Sequence, residues 1–252
     1  MEREQYAVMF RREQRHWWYA GMRRAALAVL DRALDGQMPV DLLDAGCGTG
    51  GTTVALERFG RVTGVDIAEA ALSCANQREL RGQLARASIQ ELPFPSAGFD
   101  VVTSFEVLYH LGVMDDRRAL AELHRVLRPR GLLLLRVPAH DWLRGKHDRL
   151  VHTRHRYGRG ELRDKLGAAG FHVEQLSWAN TLLFPPAVGK RVLERLQPGA
   201  HDTAANAEPD LWLPPPLLNA LLENLVAFEA VTLPRRLPAP FGLSLIALAR
   251  AV

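Results

Sequence analysis

The sequence predicts a doubly wound α/β fold, and three observations carry that prediction. Short apolar runs alternate with helical patterns along most of the chain. Val40-Asp41-Leu42-Leu43-Asp44 is an apolar strand ending in an acid. It runs directly into Gly46-Cys47-Gly48-Thr49-Gly50-Gly51, a glycine loop that opens a helix and lets the backbone turn sharply or come close to a ligand.

Taken in order, strands are expected at Val40 to Asp44, Val62 to Asp66, Gln83 to Ala87, Val101 to Phe105, Gly131 to Val137, His172 to Trp178 and Leu243 to Ala249. Helices fall between them at Thr52 to Phe59, Glu69 to Arg81, Asp115 to Leu127 and Arg159 to Ala169. Arg128-Pro129-Arg130-Gly131 stops the third helix, and Gly170 suits a left-handed cap after the fourth. Two segments lie outside this alternation. Residues 1–35 are expected to be helical, and His16-Trp17-Trp18-Tyr19 cannot all face one core from a helix, so some of the aromatics must cover a neighbouring surface. Residues 179–240 are too long for a hairpin loop and should hold helices at Val188 to Leu196 and Leu217 to Val231, flanking a polar loop at His201 to Pro209. This insertion is read first as a substrate cap, second as a homodimer surface and third as a peripheral membrane contact, the last weakened by Glu223 and Glu229.

Composition bounds the function. The 252 residues are 48% hydrophobic, enough to bury a full core. The two cysteines match no metal or disulfide spacing. A charged N-terminus and the lack of a long apolar run point to a cytoplasmic protein without a transmembrane segment. The net charge of +4 is concentrated between Trp142 and Gly160, where Arg144, Lys146, Arg149, Arg154, Arg156 and Arg159 face the single acid Asp148. Such a stretch could draw in an anionic acceptor or be a solvated basic loop.

The loop says more about its ligand. Glycines spaced GxGxG, with Asp44 before them, would repel a pyrophosphate but suit an ammonium or sulfonium. Asp66, ending the next strand, stands where a ribose diol would be gripped. Together they describe a nucleoside with a cationic amino-acid tail.

The segments DAGCGTG (Asp44 to Gly50), GVD (Gly64 to Asp66), ELPFPSAGFD (Glu91 to Asp100), EVLYHL (Glu106 to Leu111) and ELHRVLRPRG (Glu122 to Gly131) occur in this order. On them the chain resembles the class I S-adenosylmethionine-dependent methyltransferases, in the bacterial small-molecule branch similar to methyltransferase type 11. The resemblance implies a Rossmann-like, seven-stranded, mostly parallel sheet with an antiparallel last strand. It implies S-adenosyl-L-methionine as cofactor and methyl transfer by in-line displacement to an O or N nucleophile of a small acceptor. Asp44, Gly46, Cys47 and Gly48 would hold the methionyl end, Asp66 the ribose, and Ile67, Ser88 and Ile89 the adenine, although the family's usual acid is replaced by Ser88. Phe105 and Trp18 would complete the cofactor site, and His110 is the candidate general base. The resemblance also implies that residues 1–35 form an N-terminal helical lid, with Trp17, Trp18 or Tyr19 at the ligand mouth. Tyr109, His152, His155, Arg156 and Tyr157 are the candidate acceptor-binding residues. His152 and His155 have no third ligand nearby, so no metal is expected. An RNA methyltransferase fits the isoelectric point of about 9.4, but no RNA-binding module is recognisable and Phe105-Glu106-Val107-Leu108 is not the motif of amino-group nucleic-acid enzymes. A cofactor-binding protein without turnover is the third reading.

Overall fold

The computed structural model describes residues 3–145, 148–149, 151–196, 212–233, 235 and 239–252. The polar loop expected at 201–209 and the basic residues Lys146 and His147 lie outside them.

Seven strands form one sheet: β1 (Val40–Ala45), β2 (Gly60–Asp66), β3 (Gln83–Arg86), β4 (Phe99–Phe105), β5 (Leu127–Pro138), β6 (Phe171–Ala179) and β7 (Ser244–Ala251). Their order is β3-β2-β1-β4-β5-β7-β6, with β7 antiparallel to both neighbours and the first five strands parallel. All seven strands lie where the sequence places them. The order reverses between β1 and β4, so the helices leaving these two strands cover opposite faces and a crevice opens at their carboxyl ends.

Strand periodicity builds two cores from one sheet. Leu42, Leu132, Leu134, Ile246 and Leu248 face one side, while Leu43, Leu133, Leu135, Leu245 and Ala247 face the other. The first face is covered by α2 (Trp17–Leu34), which buries Met22, Ala25, Ala26, Val29, Leu30 and Leu34 in the same core as α3 (Gly51–Leu56) and the sheet, whereas α1 (Arg3–Arg12) buries none of its residues. The opposite face is covered by α5 (Asp116–Val126), through Ala119, Leu120 and Leu123, and by α6 (Arg159–Ala168), through Leu162 and Leu166. Asp115 caps α5 by accepting from the Arg117 and Arg118 amides at 2.9 and 3.2 Å.

The helix expected over Glu69 to Arg81 is shorter, with α4 spanning Glu69–Ala75. Arg78 is drawn out of helical register by tertiary partners described below. The insertion contributes α7 (Phe184–Leu196), α8 (Pro216–Ala227) and α9 (Glu229–Thr232). Its α8 packs on α2 where Gly21 leaves room for Val226, since a Cβ there would lie 2.7 Å from the valine. Its outer stripe of Leu217, Leu221 and Phe228 is exposed. Among the described residues no helix is long and apolar enough to cross a membrane.

Candidate functional site

The glycine loop leaves β1 and is fixed to β2 by Gly46 and Cys47, whose amides both donate to the Val65 carbonyl at 2.8 Å. Gly46, Gly48 and Gly50 have φ of 89°, 55° and 82°, in the left-handed region that favours glycine. Close approach of a ligand is not the reason at position 46. A Cβ there would sit 2.1 Å from Val107 Cγ2, so the turn is glycine for its own angle and for the chain leaving β4.

Two carboxylates flank the loop. Asp44 is 2% exposed; its Oδ2 accepts from Thr53 Oγ1 at 2.7 Å and its Oδ1 from Thr103 Oγ1 at 2.9 Å. Burial, reinforced by the charges of Asp66 and Glu13, pushes its carboxyl up to about 6 against the pull of the two hydroxyls. Asp66 accepts from the Gly48 amide at 2.9 Å and the Ala68 amide at 2.8 Å, one on each oxygen, and burial raises it too. Each oxygen keeps a second lone pair for a donor such as a hydroxyl. This pair of carboxylates, Asp44 buried and Asp66 half-buried, suits a ligand with one cationic end and a diol. Ile67, next to Asp66, is 55% exposed and offers a flat ligand an apolar face.

The remaining adenine-side residues divide. Ser88 Oγ accepts from the Gln90 amide at 3.2 Å and from Gln90 Nε2 at 3.4 Å. Ile89 is buried in the core, so its side chain cannot flank a ligand. Cys47 is likewise buried, packs on Gly64 and has its thiol pushed up by burial, leaving only its backbone for the loop.

Helix α1 lies over this end, and the sequence reading missed its residues. Met9 Cε reaches the position a Gly48 Cβ would touch at 3.4 Å. Glu13, 4% exposed, accepts from Thr49 Oγ1 and is paired with Arg78. Arg78 also donates to the Thr49 carbonyl at 2.6 Å and the Phe10 carbonyl at 3.1 Å, which ties α1 to the loop. A Cβ on Gly51 would fall 2.5 Å from the Glu13 carboxylate, so the final loop glycine makes room for this latch. Burial and the charge of Asp66 push the Tyr6 phenol up to about 12. No motif marks Tyr6, Glu13 or Arg78, because only the fold brings these separated positions together.

At the carboxyl ends of β4 and β5, Arg136 Nε donates to Glu106 Oε1 at 2.8 Å. Its guanidinium lies 5.3 Å from the Trp18 ring and 5.2 Å from the Phe105 ring. Trp18 Nε1 donates to Asn180 Oδ1 at 3.2 Å, and Asn180 Nδ2 donates to Ser244 Oγ at 3.1 Å. Trp18 thus stands at this mouth, next to Phe105. Trp17 instead stacks on His16, and its amide donates to Asn219 on α8 at 3.1 Å. Tyr109 is buried within reach of the charges of Glu106 and Arg136.

At His110, the candidate general base, Nδ1 accepts from the Gly112 amide at 3.0 Å, so the neutral ring carries its proton on Nε2. Burial holds its pKa below the ordinary value and keeps it neutral. His152 lies beside it at 5.7 Å between ring centroids. The other three acceptor candidates brace the structure. Tyr157 is fully buried and donates to Asp116 Oδ2 at 2.9 Å. Arg156 is held by Asp148 at 2.7 Å, and His155 by Glu161 at 2.9 Å. Two more arginines of the basic stretch are held in the same way: Arg144 donates to the Thr153 and Arg154 carbonyls, and Arg154 to that of Met114. No group of metal-ligating side chains occurs among the described residues. A groove of about 820 Å³, lined by Val29, Arg32, Glu174 and Arg235 among others, lies away from the glycine loop at the β6 side of the sheet.

Comparison with known proteins agrees with this geometry. Residues 43–135 match a family model described as a methyltransferase domain. The chain is 36% identical over 138 residues to a probable S-adenosylmethionine-dependent methyltransferase of Mycolicibacterium smegmatis, covering 53% of this chain and 52% of that protein. It is 42% identical over 94 residues to a malonyl-acyl-carrier-protein O-methyltransferase of Serratia marcescens, covering 37% of this chain and 36% of that one. The chain thus spans about half, or less, of these relatives. In fold it is similar to an S-adenosylmethionine-dependent methyltransferase from Mesorhizobium loti, with a TM-score of 0.54, 19% identity, and coverage of 86% and 95% of the two chains.

Proposed function

We propose that this chain, which carries a methyltransferase domain over residues 43–135, is an S-adenosylmethionine-dependent methyltransferase acting on a small molecule. The observation that carries the reading is the pair of carboxylates on either side of the positive-φ glycine loop, buried Asp44 and half-buried Asp66, at the switch point of the sheet. Asp44 binds the ammonium end, Asp66 the ribose hydroxyls, and Ile67 supports the adenine. Helix α1 covers them, with Glu13 and Arg78 holding the loop in shape. When bound, S-adenosylmethionine supplies an activated methyl group for in-line displacement by an oxygen or nitrogen of the acceptor.

The chain's own contribution is positioning, which can supply about 7 to 11 kcal/mol of a displacement barrier without an acid-base pair. The acceptor is placed at the carboxyl ends of β4 and β5, bounded by Trp18, Phe105 and Tyr109. The insertion acts as a cap, supported by the hydrogen bond that Trp18 of this wall donates to Asn180, which Glu229 holds in place by accepting from the Asn180 and Thr181 amides at 2.9 and 2.7 Å. Calorimetric titration of the full chain with S-adenosylmethionine and S-adenosylhomocysteine tests the reading. Saturable binding that weakens about tenfold or more in Asp66→Ala is expected, since about 1.4 kcal/mol of lost hydrogen bonding is a factor of ten. Heat-silent titrations with no change in melting temperature overturn it.

A further inference from the structure

Arg136 has more hydrogen-bonding capacity than the protein uses. A guanidinium carries five N–H donors in a planar fork. Among the described residues only its Nε has an acceptor, Glu106 Oε1 at 2.8 Å, although the side chain is just 8% exposed. The flanking Trp18 and Phe105 rings hold the fork's plane. The neighbouring wall is used up, since Asn180 spends its amide group on Trp18 and Ser244, and Glu229 accepts two backbone amides. Like the Nη1–Nη2 edge of Arg136, the hydroxyls of Tyr19 and Tyr109 have no hydrogen-bond partner among the described residues. Both phenols lie close enough to Glu106 to feel its charge, which, with burial, keeps them protonated and able to donate.

We propose that Arg136 is a specificity-determining residue that receives a carboxylate of the methyl acceptor on its Nη1–Nη2 edge, with the Tyr19 and Tyr109 hydroxyls as further donors and Glu106 as the group that positions the guanidinium. The inference rests on reading this crevice as the acceptor site. A fork with one open edge matches a planar group with two oxygens. Charge selects the same class. Among anions, a monoanionic carboxylate fits better than a dianionic phosphate, which would leave more surplus negative charge in a buried place, since Glu106 already offsets Arg136 and Glu229 also lies within reach of its charge. An ammonium group would meet the open edge of a cation. Glu106 φ of 60°, uncommon for a residue with a Cβ, fits a side chain held in a functional position.

The test uses the full chain saturated with S-adenosylhomocysteine and three probes of equal chain length: hexanoate, hexanol and hexylamine. Binding is read by calorimetry and by tryptophan fluorescence, since Trp18 touches the guanidinium. Hexanoate should bind about tenfold or more tightly than either other probe, lose that advantage in Arg136→Gln, and keep or improve it in Glu106→Gln, where the opposing charge is gone. Should Arg136→Gln fail to fold, the probe order in the unmutated chain and in Glu106→Gln still decides. Equal affinity for hexanol, or hexylamine binding that Glu106→Gln abolishes, overturns the inference. If S-adenosylhomocysteine itself does not bind, it is the proposed function that fails; if it binds and hexanoate gains nothing, only the Arg136 assignment fails.

Discussion

Asp44→Asn should make the free protein more stable while removing its cofactor affinity. The Asp44 carboxyl is raised from 3.8 to about 6 in the fold, chiefly by burial. A group whose folded pKa exceeds its unfolded value gives full stability below the unfolded pKa and loses it as pH rises through the folded one. At about 1.36 kcal/mol per unit, ionised Asp44 therefore costs the free protein about 3 kcal/mol at pH 7, relative to a neutral side chain. Asparagine preserves the hydrogen bonds: its Oδ1 accepts from Thr53, while its Nδ2 donates to Thr103, whose hydroxyl already lies 3.5 Å from the Leu43 carbonyl. Urea unfolding of both proteins from pH 3.5 to 8 measures the effect. The variant should exceed the parent by a margin that opens between about pH 4 and pH 6 and then levels off. S-adenosylmethionine should raise the melting temperature of the parent only. A variant no more stable at pH 7, or a margin independent of pH, would refute the reasoning.

Three other outcomes follow from the same geometry. Glu13→Gln leaves Arg78 without its counter-charge; since α1 buries no residue, amide exchange in Arg3–Arg12 should accelerate and cofactor affinity fall about tenfold, with little change in the global unfolding midpoint. Tyr157→Phe removes a buried donor to Asp116 and should cost about 1 to 2 kcal/mol of stability in urea titration, with cofactor affinity unchanged, as befits a bracing residue. His110→Gln keeps an acceptor for the Gly112 amide, so methyl-transfer rates, once an acceptor is in hand, should show the same pH profile as the parent; a lost limb near neutrality would support the base assignment.

The sheet was legible because its signals are local. Alternation in β1, β5 and β7 sorts Leu42 from Leu43 and Leu132 from Leu133, and a strand's two faces follow from neighbouring residues alone. Asp44, Asp66 and the loop were legible for the same reason, being contiguous with strand ends. For residues 152–157, charge and aromaticity in sequence do not say whether a partner waits in space. Asp148, Asp116 and Glu161 are the partners of Arg156, Tyr157 and His155, and no local signal marks them. The same holds for Glu13 and Arg78, which are 65 residues apart and carry no local mark. Helix α4 illustrates tertiary override: propensity favours continuation past Ala75, but Arg78 gains the Glu13 pair and two carbonyls by leaving the helix.

The stretch from Glu13 to Tyr19 has a thermodynamic consequence. Its first residue latches the glycine loop, while Trp18 stands against Arg136 at the other end of the crevice. Whatever orders one end therefore lowers the entropy left to lose at the other. Linkage makes this reciprocal: the factor by which bound nucleoside would tighten the acceptor is the factor by which bound acceptor would lower the nucleoside's dissociation constant. The short turn between α1 and α2 would thus couple the two ligands in addition to their direct contact.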